Sequence, residues 1–321
     1  MLGAMAATDA LSAAYRTVTE ACGLIDRSEA GKLLLTGEEA ASFLDGQVSN
    51  DIATLQPGHG RYATLLTPKG RIRADLRVLA VDDGQGGLLL VCERAALQTV
   101  FDQVRRGMIG WKVELHKRTL QLGLLSLVGP RSEEVARAAG LAIPGREEHD
   151  VAWPVVRTDV GLDVFPDAEQ ADAMRERLLV AGAVAVPEEA AEVVRVERGR
   201  PRFGPDLDES VMPEEAGIVD RAVSFTKGCY VGQETVARLH WKGKPNRHLR
   251  GLRSATPLET GRPVRTPERE VGRVGSAVVS PRLGPLALAI LRREVQPGDT
   301  VTVGEDGVEA EVVELPFDER A

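Results

Sequence analysis

One cysteine in this chain has the sequence surroundings of a reactive thiol. Cys229 lies in the segment FTKGCYVGQETVARLH (residues 225–240), two residues after Lys227 and between Gly228 and Gly232. A thiol reacts as its thiolate, which a nearby cation or a helix N-terminus stabilises, and the residues from Gly232 onward have a helical pattern. The spacing favours Cys229 as a reactive thiol with Lys227 beside it. A buried cysteine that packs as a small hydrophobe is the alternative.

A carboxylate in a second segment could bind a ring. Glu197 lies in VVRVERGRPRFG (residues 193–204). A carboxylate accepts two parallel hydrogen bonds from a heterocycle that carries N–H and amino donors side by side, as a pterin does. Glu197 could serve in this way if it points inward, but its position between arginines favours a surface glutamate.

Charge is distributed unevenly along the chain. The 321 residues carry a net charge of -8, which disfavours general binding to nucleic acids. Residues 221–253 nevertheless contain eight Lys and Arg against one acid, Glu234. This basic segment is either a solvated face or a nucleic-acid-binding surface. Steep weakening of binding with salt would identify the second.

Cysteine content and hydropathy restrict the class of protein. The three cysteines, Cys22, Cys92 and Cys229, are odd in number and far apart, which argues against a disulfide framework. The sequence contains no CxxC motif and no Cys/His cluster that would indicate a permanent metal site. No apolar run approaches the roughly 20 residues of a membrane span, and the N-terminus does not resemble a secretion signal. We expect a cytoplasmic protein that binds no metal of its own.

The elements that must position these residues alternate between strands and helices. The clearest signal is a hairpin over residues 61–81 with its turn at residues 67–70. A second turn is predicted at residues 82–87. From residue 247 onward, short alternating runs separated by Gly and Pro predict a small β-barrel. The fold class is α+β, with residues 1–243 forming two α+β subdomains that divide near residues 130–150, and residues 244–321 forming the barrel.

Several segments together resemble a known family. KGCYVGQE (residues 227–234) matches the signature of the YgfZ family of folate-binding proteins, which is similar to the T-protein (aminomethyltransferase) of the glycine cleavage system. Four further segments are similar to that family and occur in its order: FLDGQVSNDI (43–52), RYATLLTPKGRIRADLRV (61–78), RVERGRPRFGPDL (195–207) and GKPNRHLRGL (243–252).

The resemblance implies a ring-like arrangement of mixed α/β domains around a tetrahydrofolate or a derivative. By matching position, Glu197 would hold the pterin with Arg195 nearby. The other cofactor-binding candidates are Asn50, Asp51, Tyr62, Asp75 and Arg238. The signature loop comprises Gly228, Tyr230, Gly232, Gln233 and Glu234 around the catalytic candidates Cys229 and Lys227.

The resemblance also implies a function. YgfZ-like proteins support the assembly or maintenance of iron-sulfur enzymes, some of which modify tRNA, so we expect transient iron-sulfur client proteins as partners and neither membrane nor nucleic-acid binding. The alternative is a folate-dependent aminomethyltransferase that resembles T-protein. T-proteins have paired acids in the hairpin, whereas this chain has Ala74 before Asp75, and that difference argues against the transferase. Whether a covalent reaction is catalysed stays open.

Overall fold

The structure is a computed structural model that describes residues 2–81 and 87–317. The turn expected at residues 82–87 lies almost entirely outside the described residues. The helices are α1 Leu2–Glu20, α2 Ala40–Asp45, α3 Leu97–Gly107, α4 Ser132–Ala138, α5 Ala171–Val180, α6 Glu188–Glu197, α7 Val219–Ala222 and α8 Gln233–Lys242.

The strands form two open sheets and one barrel. They are β1 Gly23–Asp26, β2 Gly31–Thr36, β3 Gly60–Leu66, β4 Ile72–Val81, β5 Gly87–Cys92, β6 Glu114–Lys117, β7 Leu125–Val128, β8 Val151–Ala152, β9 Val155–Thr158, β10 Gly161–Val164, β11 Val184–Ala185, β12 Arg247–Ser254, β13 Pro263–Arg265, β14 Glu270–Ser280, β15 Gly284–Arg292, β16 Thr300–Val303 and β17 Val308–Val313.

The first sheet contains the hairpin that the sequence predicts. Its strand order is β3-β4-β5-β2-β6, with antiparallel pairing throughout. One face packs on α2 and α3 through an apolar core that includes Phe43, Leu65 and Val100. Along β4, buried residues alternate with partly exposed ones from Ile72 to Val78. One face of the hairpin therefore packs on this core, and its other face is directed away from α2 and α3.

The second sheet has the order β11-β1-β7-β10-β9-β8 and faces the first sheet. Leu79 and Leu89 of the first sheet share an apolar cluster with Val156 and Phe165, from β9 and the residue after β10. Strands β1 and β7 pair with each other in the second sheet, although both precede residue 130. The two sheets are therefore not separated by a single division of the chain near residues 130–150. Strand pairing brings N-terminal residues beside segments more than 100 residues away.

The C-terminal region is a closed six-stranded barrel, β12-β15-β14-β13-β16-β17. Its first strand begins at Arg247, and its interior is filled by residues such as Leu252, Val274 and Val301. Helix α6 contacts α1, β14 and β15 and so joins the barrel to the remainder of the chain. The predicted α+β class with a C-terminal β-barrel is confirmed.

Candidate functional site

A cavity of about 290 Å³ opens between the two sheets and is bordered by α6. The same sheet faces that meet through apolar side chains elsewhere carry charged side chains here. Its charged and polar lining residues include Arg27, Tyr62, Asp75, Arg77, Glu93, Ser126, Glu148, His149, Asp159, Asp163, Glu188, Glu192, Arg195, Arg200, Arg202 and Arg221. The sequence-predicted residues Tyr62, Asp75 and Arg195 therefore line the same cavity, the first two from the first sheet and Arg195 from α6.

Asp75 contributes a carboxylate to this lining that is only partly hydrogen-bonded. Its Oδ2 accepts a hydrogen bond of 2.7 Å from the hydroxyl of Tyr62 on the paired strand β3. Its Oδ1 is buried and has no hydrogen-bond partner within the described residues. Burial raises the pKa of Asp75 above that of an ordinary aspartate, against the smaller lowering effects of Tyr62 and Arg221. The free oxygen can accept a hydrogen bond from a ligand.

Ala74, at the position where the resemblance to T-proteins implies an acid, faces the opposite side of the sheet. It is fully buried in the apolar core beneath the first sheet, because successive residues of a strand point to opposite faces. An acid at this position would enter that core rather than the cavity. Ala74 therefore removes no cavity carboxylate, and the sequence argument against a transferase loses its structural basis.

Ion pairs fill much of the remaining cavity wall. Asp163 contacts Arg77 at 2.6 Å, and Glu188 accepts two hydrogen bonds of 2.8 Å from Arg27. On another wall, Glu148 contacts Arg221 at 2.5 Å. These pairs hold positive and negative charge in fixed positions, so the cavity is strongly polar without being dominated by one sign.

His149 is a cavity residue that the sequence analysis missed. Its side chain is buried, and burial, aided by Arg77 and Arg221, lowers its pKa to about 3. The ring is therefore neutral at physiological pH, and its Nδ1 has no hydrogen-bond partner in the described residues. A lone histidine outside any motif gave no signal for this placement.

Glu197 does not face the cavity. Its carboxylate accepts hydrogen bonds from Tyr15 of α1 and Ser280 of β14 and lies 3.6 Å from Arg282. The cavity-facing side of α6 instead carries Glu192 and Arg195. Five residues along an α-helix correspond to a rotation of about 140°, which is why Glu197 and Glu192 lie on different faces. Glu197 is thus not directed into this cavity, as direct binding of a ring there would require, and its role toward the folate stays a prediction.

Glu192 lines the cavity from α6, as Glu188 does, and neither residue was selected in the sequence analysis. Glu192 accepts two hydrogen bonds from Arg195, at 2.8 and 2.5 Å, and lies 3.1 Å from Arg202. Arg195 also contacts Asp206 at 3.1 Å. These cations hold the pKa of Glu192 below its ordinary value despite the opposing effect of burial. Arg195 therefore acts on the wall through a fixed ion-pair network.

Of Asn50 and Asp51, both expected on the wall, Asn50 supports it from behind. The Asn50 amide donates to the backbone carbonyls of Tyr62 and Arg221 at 2.8 and 2.9 Å. Asp51 accepts hydrogen bonds from the backbone and hydroxyl of Thr54. Neither residue lines the cavity. The Asn50 contacts place it as a brace between two wall residues.

The signature loop is anchored by Lys227. Its ammonium donates to the carbonyls of Asp45, Val48 and Asn50, the last two at 3.0 Å, and lies 3.1 Å from the Asp45 carboxylate. The side chain is 1% exposed. These acceptors use the three donors of the ammonium, which gives Lys227 a structural role. An additional effect on Cys229 stays a prediction.

Gly232 fixes the loop against the hairpin turn. Its φ of 88° lies in the left-handed region, and a Cβ there would come within 2.6 Å of the Thr67 carbonyl oxygen. Only glycine meets both conditions without strain. Tyr230 is buried in the adjacent apolar cluster, and burial raises its pKa to about 12. The loop therefore packs on the same hairpin that carries Asp75.

The remaining signature residues are more exposed. Cys229 is exposed, whereas Cys22 and Cys92 are buried. Helix α8 begins at Gln233, four residues after the cysteine, with Glu234 in its first turn. Glu234, Arg238 and Gly228 are exposed. Neither Cys229 nor Arg238 lines the cavity, so the thiol and the cavity are two separate features of one hairpin region.

Comparisons with known proteins match most of the chain. Residues 4–142 match the GCVT N-terminal domain, and residues 247–318 match the glycine cleavage T-protein C-terminal barrel domain. An aminomethyltransferase of Rubrobacter xylanophilus is 30% identical over 326 residues, covering 97% of this chain and 87% of the relative. A putative chloroplastic transferase of Arabidopsis thaliana is 27% identical over 310 residues, covering 92% of this chain and 71% of the relative.

A solved structure has the same fold. The glycine cleavage system aminomethyltransferase T from Bartonella henselae superimposes with a TM-score of 0.87 at 24% identity, covering 96% of this chain and 90% of that one. Within residues 2–81 and 87–317, no helix combines the length and apolarity that crossing a bilayer requires. The cytoplasmic location stays a prediction.

Proposed function

Because the chain belongs to the glycine cleavage T-protein (aminomethyltransferase) family, we propose that its cavity binds a tetrahydrofolate or a derivative. The unpartnered Oδ1 of Asp75 carries this proposal. A pterin ring offers N–H and amino donors to such an acceptor, and a ligand donor would relieve the cost of a buried, unpaired carboxylate oxygen. The relatives named aminomethyltransferase support the ligand class.

The size and charge of the cavity agree with a ring rather than an entire folate. A volume of about 290 Å³ is near the lower end of the 300–1,000 Å³ typical of ligand sites. The ring would lie between the sheets, with the glutamate tail outside. Neutral His149, with its unsatisfied Nδ1, would offer one further hydrogen-bonding group.

For the role of the bound folate, we propose that this protein is an accessory factor for iron-sulfur enzymes that acts through Cys229. The supporting observation is that Cys229 is the exposed cysteine, in a loop packed on the hairpin that carries Asp75. One thiolate can serve a cluster or a sulfur intermediate only transiently, because a stable cluster normally takes about four protein ligands. Client proteins, including tRNA-modifying enzymes, would supply the others.

The second candidate is folate-dependent aminomethyl transfer. It is favoured by the position of Asp75 in the cavity and by the core orientation of Ala74. A carboxylate beside the reacting nitrogen could orient the folate and stabilise positive charge that develops there. On this reading Cys229 would be dispensable.

Folate binding is tested by calorimetric titration with tetrahydrofolate under anaerobic conditions. We expect Asp75→Asn to weaken binding roughly tenfold, as for loss of one charge-assisted hydrogen bond. The matched control is Asp172→Asn on the exposed surface of α5, which should bind as the unmodified protein does. Equal affinity for all three proteins would remove Asp75 from the site.

The two roles are separated by one comparison in cells that lack their own copy. The accessory role predicts that Cys229→Ser binds folate normally but does not restore iron-sulfur enzyme activity. The transferase role predicts that Cys229→Ser is fully active and that the purified protein supports glycine cleavage in an Asp75-dependent manner. Full complementation by Cys229→Ser would exclude the accessory mechanism.

A further inference from the structure

The acidic side chains of the cavity fall into two groups. Five have an arginine within ion-pair distance: Glu148, Asp159, Asp163, Glu188 and Glu192. The other two, Asp75 and Glu93, have no such partner in the described parts of the chain. They are therefore the cavity carboxylates whose acceptor capacity the protein itself uses least.

Strand register places these two residues side by side. The antiparallel pairing of β4 with β5 runs from Val81 opposite Gly87 to Arg77 opposite Val91. When this pairing is continued by two residues on each strand, Asp75 lies opposite Glu93, which is the first residue after the end of β5. Directly opposite residues of an antiparallel pair have Cβ atoms about 4.5–5.5 Å apart and share one face. Both residues line the cavity, in agreement with this register.

The two carboxylates repel each other in the ligand-free protein. Although the Glu93 residue is exposed at this edge of the cavity, desolvation by the surrounding chain raises its pKa as well as that of Asp75, and Asp75 further raises that of Glu93. The charged and titratable groups that face the pair from the surrounding elements are Tyr62, Arg221 and Arg195 toward Asp75, and Arg202, Arg27 and Glu188 toward Glu93. The arginines reduce the repulsion but already form ion pairs with other acids.

We propose that Glu93 is a second ring-recognition residue, which together with Asp75 accepts hydrogen bonds from separate N–H or amino groups of the bound heterocycle. This inference rests on the proposed folate function and extends it to a residue outside every motif of the sequence. The matching ligand has at least two N–H donors on one side of its ring and no anionic group there. A reduced pterin meets these conditions, whereas a carboxylate or phosphate would face two acids.

The binding test compares Glu93→Gln with the unmodified protein by calorimetry with tetrahydrofolate. We expect roughly tenfold weaker binding, because the amide is a poorer acceptor and presents its own donors to the ring. The control is Glu189→Gln, an exposed acid on α6 that does not line the cavity. Unchanged affinity of Glu93→Gln would overturn the assignment.

Thermal melting without ligand tests the pair independently. A carboxyl group whose pKa is raised by folding makes the folded state less stable as pH rises from its unfolded pKa, about 4, through its folded pKa. Glu93→Gln should therefore melt higher than the unmodified protein at pH 7, and this gain should vanish at about pH 4. The gain should also be smaller in an Asp75→Asn background.

The outcomes separate this inference from the function on which it rests. An unmodified protein that binds no tetrahydrofolate would overturn both the proposed function and ring recognition, whatever the melting curves show. Folate binding that is intact in both the unmodified protein and Glu93→Gln would overturn the inference alone. A lower melting temperature for Glu93→Gln at pH 7, or equal gains with and without Asp75, would overturn the repulsive pair.

Discussion

Replacement of Lys227 by methionine tests whether the signature lysine is primarily a structural anchor. Methionine keeps most of the aliphatic length but removes the ammonium, which leaves the carbonyls of Asp45, Val48 and Asn50 without this donor. The Asp45 carboxylate keeps its bonds from the backbone N–H groups of Ile52 and Ala53, so part of its charge stays compensated.

The expected loss follows from the burial of this ion pair. Removal of one partner from a buried charge pair costs about 3–5 kcal/mol. With an unfolding entropy of about 2.1 cal/mol/K per residue for a cooperative unit of this length, the melting temperature should fall by about 4–8 °C. Lys244→Met, which alters an exposed lysine just beyond α8, should change stability by no more than about 0.5 kcal/mol.

The measurement is thermal unfolding followed by circular dichroism, with alkylation of Cys229 followed in the same samples at a temperature well below melting. A variant of Lys227 that melts like the unmodified protein would refute the anchor. If that variant also alkylated more slowly at Cys229, the result would favour the alternative in which Lys227 stabilises the thiolate.

Two further predictions concern the thiols and Glu197. Burial raises the pKa of Cys22 from 9.0 to about 11 and that of Cys92 to about 12. At neutral pH these shifts lower the thiolate fractions of the two residues about 100-fold and 1,000-fold. Iodoacetamide should therefore give a single adduct, at Cys229, in the folded protein and three adducts in urea, as measured by intact mass spectrometry. Comparable labelling of all three thiols without denaturant would contradict the observed burial. Glu197→Gln should lower the free energy of unfolding by about 1.5–3 kcal/mol, because Tyr15 and Ser280 lose a charged acceptor. The same substitution should change tetrahydrofolate affinity by less than about twofold. A large loss of affinity with an unchanged melting temperature would show that Glu197 belongs to the binding site.

Local features of the fold were predictable from the sequence because their causes are local. The alternation across the hairpin and the Pro and Gly of its turn specify β3 and β4, and the short apolar runs after residue 247 specify barrel strands. The glycine at position 232 indicated a tight approach, and the structure provides the carbonyl of Thr67 at that point. Tyr62, Asp75 and Arg195, selected from the sequence, all line the cavity, and their role in folate binding stays a prediction.

The direction in which side chains point was decided by tertiary structure. Strand alternation predicts that Ala74 and Asp75 face opposite sides of the sheet, and the helical period predicts that Glu192 and Glu197 lie on different faces of α6. Neither pattern predicts which side or face lines the cavity. That choice depends on where the second sheet and the barrel pack. The acceptors for Lys227 lie about 180 residues earlier in the chain, and Glu93 comes beside Asp75 only through the register of β4 and β5. Contacts between distant segments carry no short-range pattern, so the sequence by itself specified the strands of the hairpin and barrel and three of the residues that line the cavity, whereas packing assigned each side chain its partner.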